Sequence, residues 1–453
     1  MMEENYLSYG EKCLEFAQTE DIDLAEVYIS NARAINVEIE KNSIKTAKFL
    51  YDHGIGIRCI KNGSIGFSFS TDFEWESLKN MVLTAIKLCK TGIPDPDFKD
   101  LPHSHSYSPV RGMVDKALTT IEIDSAMDLC LRTADSAQID NRITSINVDF
   151  FCGDSQRYIL NTNGIKANSK GTAIQISAEI AAKEDIDVSS GFEFQASRFL
   201  KEIDPETVGS SAAEIALKSL HTQSIETGTY PVIFHPIAVS SLLSSSIGSA
   251  LNAEAIQYKQ SYLTDRIDTE IAPDQLNILD NGLFINKKGI AGLGTSKFDG
   301  EGVPHQKTSL VSAGILKNYL YDSYTAGKEN HKSSGNASRF SYRTVPSISA
   351  TNLQVLGNSG DLNSFISEIE KGILVWDTGD QPNLATGDFS GLISSGFKIE
   401  NGAIAYPLKN AMMGINMLDF FKQIYQIGTD YRTIFNVITP SLWVADIKIA
   451  GSN

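Results

Sequence analysis

Two long stretches alternate apolar and polar side chains with a period of two, and that pattern commits most of the first half of the chain to antiparallel β-structure. The first, AEVYISNARAINVEIEKNSIKTAKFLYDHGIGIRCIKNGSIGFSFS from residue 25, is broken at DHG and KNG, where Asn and Gly supply the backbone a hairpin turn needs. The second, RITSINVDFFCGDSQRYILNTNGIKANSKGTAIQISAEIAAKEDIDVSSGFEF from residue 142, repeats the plan with an NTNG turn. Helical periodicity precedes the stretches at residues 5–18 and 119–137 and follows them at 72–90 and 207–221. Two related helix-plus-meander units are expected, without convincing residue identity between them.

A Pro-rich loop, TGIPDPDFKDLPHSHSYSPV, separates the units. Beyond residue 225 the chain is richer in glycine, and GILVWD, SGLISSGFKIENGAIAYPL and TIFNVITPSLWVADIKIA read as strands, with ENGA as a tight hairpin turn. Helices are expected to be few after residue 260. The class is therefore α+β in two domains: an N-terminal α+β domain over 1–224 and a β-rich C-terminal domain over 225–453.

Composition narrows the function. The 453 residues carry 55 acidic against 39 basic side chains, a formal net charge of −16 with no run of Lys or Arg. Nucleic acid is a poor partner for such a surface, because phosphate binding rests on basic side chains releasing counterions. Five cysteines, none in a CxxC pair and none beyond residue 152, read as reduced thiols. The start, MMEENYLSYGEKCLEF, has no basic leader with an apolar run, and no later stretch has the length of a membrane span. A cytoplasmic protein without membrane contact is expected.

Common catalytic signatures are missing. Nothing matches GxSxG, a Walker loop or GxGxxG at a strand-to-helix turn, and GLGTSKFDG (292–300) reads as a surface loop. No histidine is followed by glutamate, which removes HExxH chemistry. His103 and His105 lie together in the Pro-rich loop with no third ligand nearby and read as a solvated pair. A Ser-His-Asp triad assembled from distant residues has no local signature here.

Several ordered segments of the second half carry a resemblance: FDGEGVPHQKTSLVSAGILKNYLYDSYTAGKEN, SSGNASR, GDFSGLISSGFKIENGAIAYPL and GIN near residue 414. Together they resemble the TldD/PmbA family, the so-called modulators of DNA gyrase, and weaker similarity in AEVYIS and NTNG extends the match over nearly the whole chain. The resemblance implies a cytoplasmic peptidase complex of two homologous subunits. In the TldD branch a helix beginning LLHE carries HExxxH, and a cysteine near the C-terminus completes a zinc site.

Laid on this chain, the helix falls on LLSSSIGSAL (242–251). The first His then corresponds to Ser244, the Glu to Ser245 and the second His to Ser249, and no cysteine follows Cys152. A serine hydroxyl is a poor zinc ligand and no general base at neutral pH, so the metal site is lost as a unit. The pattern resembles the PmbA branch, also called TldE. No metal or cofactor is expected in this chain, with zinc held by a TldD-type partner. The spacing adds a condition: helix positions five apart point about 140° away from each other, so ligands there need a local bulge, for which Gly248 leaves room. Close helix packing accounts for that glycine equally well.

Two further segments are candidates for a substrate cleft. In FDGEGVPH, Asp299, Glu301 and His305 surround Gly300 and Gly302 and either line a cleft that takes up a peptide or form a glycine turn whose carboxylates cap amides. In TGDFS, Thr386 and Asp388 stand at a strand entrance, where turn hydrogen bonds are the commoner use. Lys328 and Arg339 flank NHKSSGNAS and either meet an acidic group or border a solvated loop, the loop being the safer expectation. Three functions remain open on sequence. One is a non-catalytic subunit of a TldD/PmbA-type metallopeptidase acting on peptides or unfolded polypeptides, paired with a TldD-type subunit or with itself. The others are a self-associating peptidase with an unidentified site, and a non-enzymatic protein-binding regulator.

Overall fold

The computed structural model describes residues 6–451. Helix α1 (Tyr6–Gln18) leads into strands β1 (Leu24–Glu40), β2 (Ser43–Lys61) and β3 (Ser64–Ser70), and α2 (Trp75–Thr91) closes the first unit. After one turn of helix, α3 (Lys116–Thr119), the plan recurs as α4 (Ile123–Ser136), β4 (Ile143–Asn161), β5 (Lys166–Glu184), β6 (Asp187–Ser197) and α5 (Pro205–Lys218). The meanders join through their first strands into one antiparallel sheet of order β3-β2-β1-β4-β5-β6. The two units are thus related by a pseudo-twofold axis between β1 and β4.

Packing repeats with the topology. Gly66 of β3 lies against the α2 backbone so closely that a Cβ would sit 2.0 Å from the Ala85 carbonyl oxygen, and Gly191 of β6 lies likewise 2.1 Å from that of Ala212 in α5. The flanking residues, GFSF at 66–69 and GFEF at 191–194, are the residue identity that periodicity alone overlooked.

One expected turn is absent. The first hairpin reverses at Lys41 and Asn42, both with positive φ, and DHG (52–54) lies inside β2. Gly54 and Gly56 are there for close approach: a Cβ on Gly54 would meet the Tyr342 ring at 2.2 Å, and one on Gly56 the Tyr342 carbonyl at 2.2 Å. The KNG, NTNG and ENGA turns form as expected, with positive φ at Asn62, Gly63, Gly164, Asn401 and Gly402.

Alternation along the strands separates the two faces of the sheet. Val27, Ile29, Ile35 and Val37 of β1, with Phe150, Cys152, Tyr158 and Leu160 of β4, pack under the helices. The opposite face, with Glu26, Tyr28 and Ile159, receives the second half of the chain. That half begins with β7 (Gly228–Phe234) and α6 (Pro236–Leu243), and its helices have eight residues or fewer. It holds an eight-stranded mixed sheet with β7 paired to Lys371–Asp377 and Leu442–Ala450, a six-stranded sheet centred on Ile278–Asn281 and Leu353–Val355, and a two-stranded ribbon. The fold is mixed α+β with a β-rich C-terminal part. Among the described residues no helix is long and apolar enough to cross a membrane.

The seam between the halves is dense in polar contacts. Segment 292–300 is mostly buried within it, which corrects its reading as a surface loop. Arg198 of the loop after β6 donates to the carbonyls of Gly292, Leu293 and Thr295 at 2.8–2.9 Å, and Arg157 of β4 donates to that of Phe298 at 2.8 Å. The glycines at 292 and 294 press against Asn352 and the Thr351 carbonyl, a closeness that no side chain would permit.

Candidate functional site

His235 ends β7 and caps α6, its side chain accepting from the Ile237 amide, while its ring stacks on Trp376 at 3.9 Å. Burial pushes this imidazole down to about 3. After Leu243 the helix widens: Ser244–Ser249 form a π turn, the local distortion that a five-residue spacing demands. Ser249 Oγ lies 3.4 Å from the Ser244 carbonyl oxygen, so the two positions share one side of the turn. Ser245 Oγ donates to the Ser241 and Leu242 carbonyls at 3.2 and 3.1 Å. Ser244 and Ser249 are exposed and Ser245 half-buried. Tyr262 stabilises the widened turn from behind by donating to the Ser246 carbonyl at 2.6 Å.

The TGDFS segment adjoins that support. Gly387, at φ +76°, has its Cα against the Tyr262 ring, and the Tyr262 amide donates to Leu384. Thr386 and Asp388 are exposed and make turn bonds: Thr386 Oγ1 accepts from the Asp388 amide at 3.2 Å, and Asp388 accepts from Asn416 at 3.0 Å, which holds its carboxyl below the usual range. The serine turn and TGDFS are therefore neighbours through Tyr262.

The DGEG segment lies elsewhere and faces inward. Asp299 and Glu301 are each 1% exposed. Asp299 accepts from the amides of Glu301, Val303 and Ala337 at 2.8–3.0 Å, and Gly302 supplies the positive φ of the turn. Burial, with the Glu301 charge beside it, drives the Asp299 carboxyl upward against those three donors. Glu301 accepts from Arg58 at 2.7 Å and from the Ser323 amide at 2.9 Å. Arg58 also donates to Glu26 at 2.9 and 3.1 Å, and Arg339 pairs with Glu26. The expectation that these carboxylates line a cleft is corrected: they close a buried ionic cluster joining the halves, because every oxygen already has an internal donor. Arg339, placed by sequence in a solvated loop, belongs to the same cluster, whereas Lys328 lies 3.6 Å from Asp97.

His305 alone of that segment borders open space. A cavity of about 630 Å³ lies between the sheet and the second half, with Arg157, Arg198, His305, Ser169 and Ser296 on its wall. Ser169 and Ser296 approach to 3.1 Å across the seam. Ala350, also on the wall, lies 3.9 Å from the position a Cβ would take on Gly248, so the π turn backs onto one side of the cavity. Burial and the Arg157 charge push His305 down to about 3. Arg157 and Arg198 went unnoticed in the sequence, where nothing distinguishes them from surface arginines.

The donor sets do not fit zinc. The Ser245 and Ser249 hydroxyls are turned onto helix carbonyls, and among the described residues no three His, Cys, Asp or Glu side chains are placed to hold a metal. The cysteines are all buried, and burial pushes Cys13, Cys59 and Cys130 up to about 12. His103 and His105 are exposed, with His103 bonded to Asp100.

Comparison with known proteins follows the same outline. Residues 25–89, 116–220 and 227–451 match, in order, the family models described as PmbA/TldA metallopeptidase domain 1, central domain and C-terminal domain. An uncharacterized protein of Methanocaldococcus jannaschii is 29% identical over 95% of this chain and 97% of its own length. The metalloprotease PmbA of Escherichia coli O157:H7 is 26% identical over 95% and 92%, and a metalloprotease TldD homolog of Buchnera aphidicola 27% over 92% and 88%. TldE from Thermococcus kodakarensis has the same fold, with a TM-score of 0.89 at 22% identity over 98% of this chain and all of that one. A Thermotoga maritima protein described as a putative modulator of a DNA gyrase gives the same TM-score at 21% identity, again over 98% and 100%. The chain belongs to the PmbA/TldD family of metallopeptidase-related proteins.

Proposed function

We propose that this chain is the non-catalytic subunit of a TldD/PmbA-type metallopeptidase complex acting in peptide processing or proteolysis. The supporting observation is the Ser244–Ser249 turn. It has the backbone shape that would bring ligands five residues apart together, yet it presents serines, and the hydroxyls of Ser245 and Ser249 bond to carbonyls of their own helix. Serine at these positions neither holds Zn²⁺ nor takes a proton from metal-bound water. The zinc belongs to a TldD-type partner, with which this chain forms a pseudo-symmetric dimer; a dimer with itself is the resting alternative. The division at residue 225, a cytoplasmic setting and the absence of nucleic-acid contact are parts of the same reading, the last motivated by the net charge of −16.

Zinc content and peptidase activity of the purified chain, alone and mixed with a TldD-type subunit from the same organism, test it. Activity confined to the mixture, with zinc bound by the partner, is the expected result. Stoichiometric zinc and peptidase activity in this chain alone would overturn it.

A further inference from the structure

The cavity between the halves is unusual in its charge. Of the described charged residues bordering it, Arg33, Lys170 and the one carboxylate, Asp154, are paired with one another, which leaves Arg157 and Arg198 as the unpaired cations beside a neutral His305. Asp154 continues the even-numbered row of Phe150 and Cys152 beneath the helices, and there it pairs with Arg33 at 3.2 Å and Lys170 at 3.7 Å. Arg157, on the alternate row, points the opposite way. A chain with a net charge of −16 thus encloses a space whose facing charges are both positive.

The two arginines differ in how far they are committed. Arg198 is structural, with Nε, Nη1 and Nη2 all directed at carbonyl oxygens of Thr172, Gly292, Leu293 and Thr295. Arg157 gives Nη2 to the Phe298 carbonyl and lies over the Phe298 ring at 5.3 Å, but forms no ion pair among the described residues. A guanidinium offers five N–H donors in a fork that matches an oxyanion, so most of its capacity remains for a ligand. Arg157 stands close enough to Arg198 and His305 to add, after burial, to the downward shifts of both. Beside it, the Ser169–Ser296 pair offers hydroxyls, and about 630 Å³ is within the range of small-molecule sites.

We infer that this cavity binds a small ligand by its oxyanion end, a carboxylate or a phosphate, with Arg157 as the anchoring residue. The inference holds whether or not the chain is catalytic. Calorimetric titration of the full chain with tri-alanine, tri-alanine amide and inorganic phosphate tests it. Binding of free-acid tri-alanine at least tenfold tighter than its amide identifies a peptide carboxylate; binding of phosphate, displacing tri-alanine if both bind, identifies a phosphate site. In either case Arg157→Gln is expected to weaken binding tenfold or more. Because Arg157 also holds Phe298, the native protein supplies a second measurement: the bound ligand protects Arg157, but not exposed Arg132, from phenylglyoxal. Failure of both acids to bind at millimolar concentration, equal binding by a folded Arg157→Gln variant, or no protection of Arg157 would overturn the inference.

Discussion

The DGEG seam and the serine turn make opposite uses of side-chain chemistry. The seam gathers Glu26, Arg58, Glu301 and Arg339 where water is excluded, whereas the turn is uncharged and partly open, though it has the rarer backbone. Carboxylates beside glycines look functional in a sequence and serines look idle. In this molecule the carboxylates bind the halves together, and the serines occupy the distorted turn. Reactive residue types therefore mark function only when the fold leaves them unpaired.

Four perturbations sharpen that contrast. Arg58→Met removes the cation shared by Glu26 and Glu301 and leaves two buried carboxylates with Arg339 alone; a loss of about 3–5 kcal/mol in chemical denaturation is expected. Gly54→Val drives a side chain into the fully buried Tyr342 ring, whose hydroxyl is tied to Asp52, and is expected to cost about 1–3 kcal/mol in the same assay.

The third concerns the helix that carries the serine turn. His235 and His305 both stay neutral in the fold until about pH 3, while in the unfolded chain they take up protons near 6.5. The unfolded state therefore binds more protons between those values, and stability falls as pH is lowered through that window, by about 1.4 kcal/mol per unit for each histidine. Urea unfolding of His235→Asn, which keeps a capping side chain, should show a pH slope shallower by one proton; an unchanged slope would place His235 outside this effect.

The smallest change is expected at Gly248. A Cβ there would meet the end of Leu353 at 3.2 Å, with the Leu243 carbonyl oxygen at 3.8 Å and Ala350 at 3.9 Å in ordinary contact, and no positive φ requires glycine. Gly248→Ala is expected to stabilise by about 0.5 kcal/mol through lower chain entropy in thermal unfolding. A loss above about 2 kcal/mol would mean that close packing at the turn is essential after all.

Much of the architecture could be read directly. Period-two alternation announced the strands, and Asn-Gly pairs at 62–63 and 401–402 announced two hairpins, because both signals are local consequences of backbone geometry. The DHG segment misled for the same reason. Glycine there answers to Tyr342, nearly three hundred residues away, and no local rule detects such a partner. The candidate site divided similarly. The turn role of Thr386 and Asp388 was legible from neighbouring residues, but the burial of Asp299 and Glu301 was not, since it depends on Arg58 arriving from β2.

By itself the sequence determined the two meander units, the α+β class and the acidic balance of charge. Each follows from residue type and short spacing. Only the tertiary structure decided which carboxylates are spent inside the molecule, that Ser244–Ser249 form a π turn, and that Arg157 faces a cavity with no ionic partner among the described residues. Those outcomes depend on what the fold brings against each side chain, and desolvation and pairing across the seam are set by distance in space rather than along the chain.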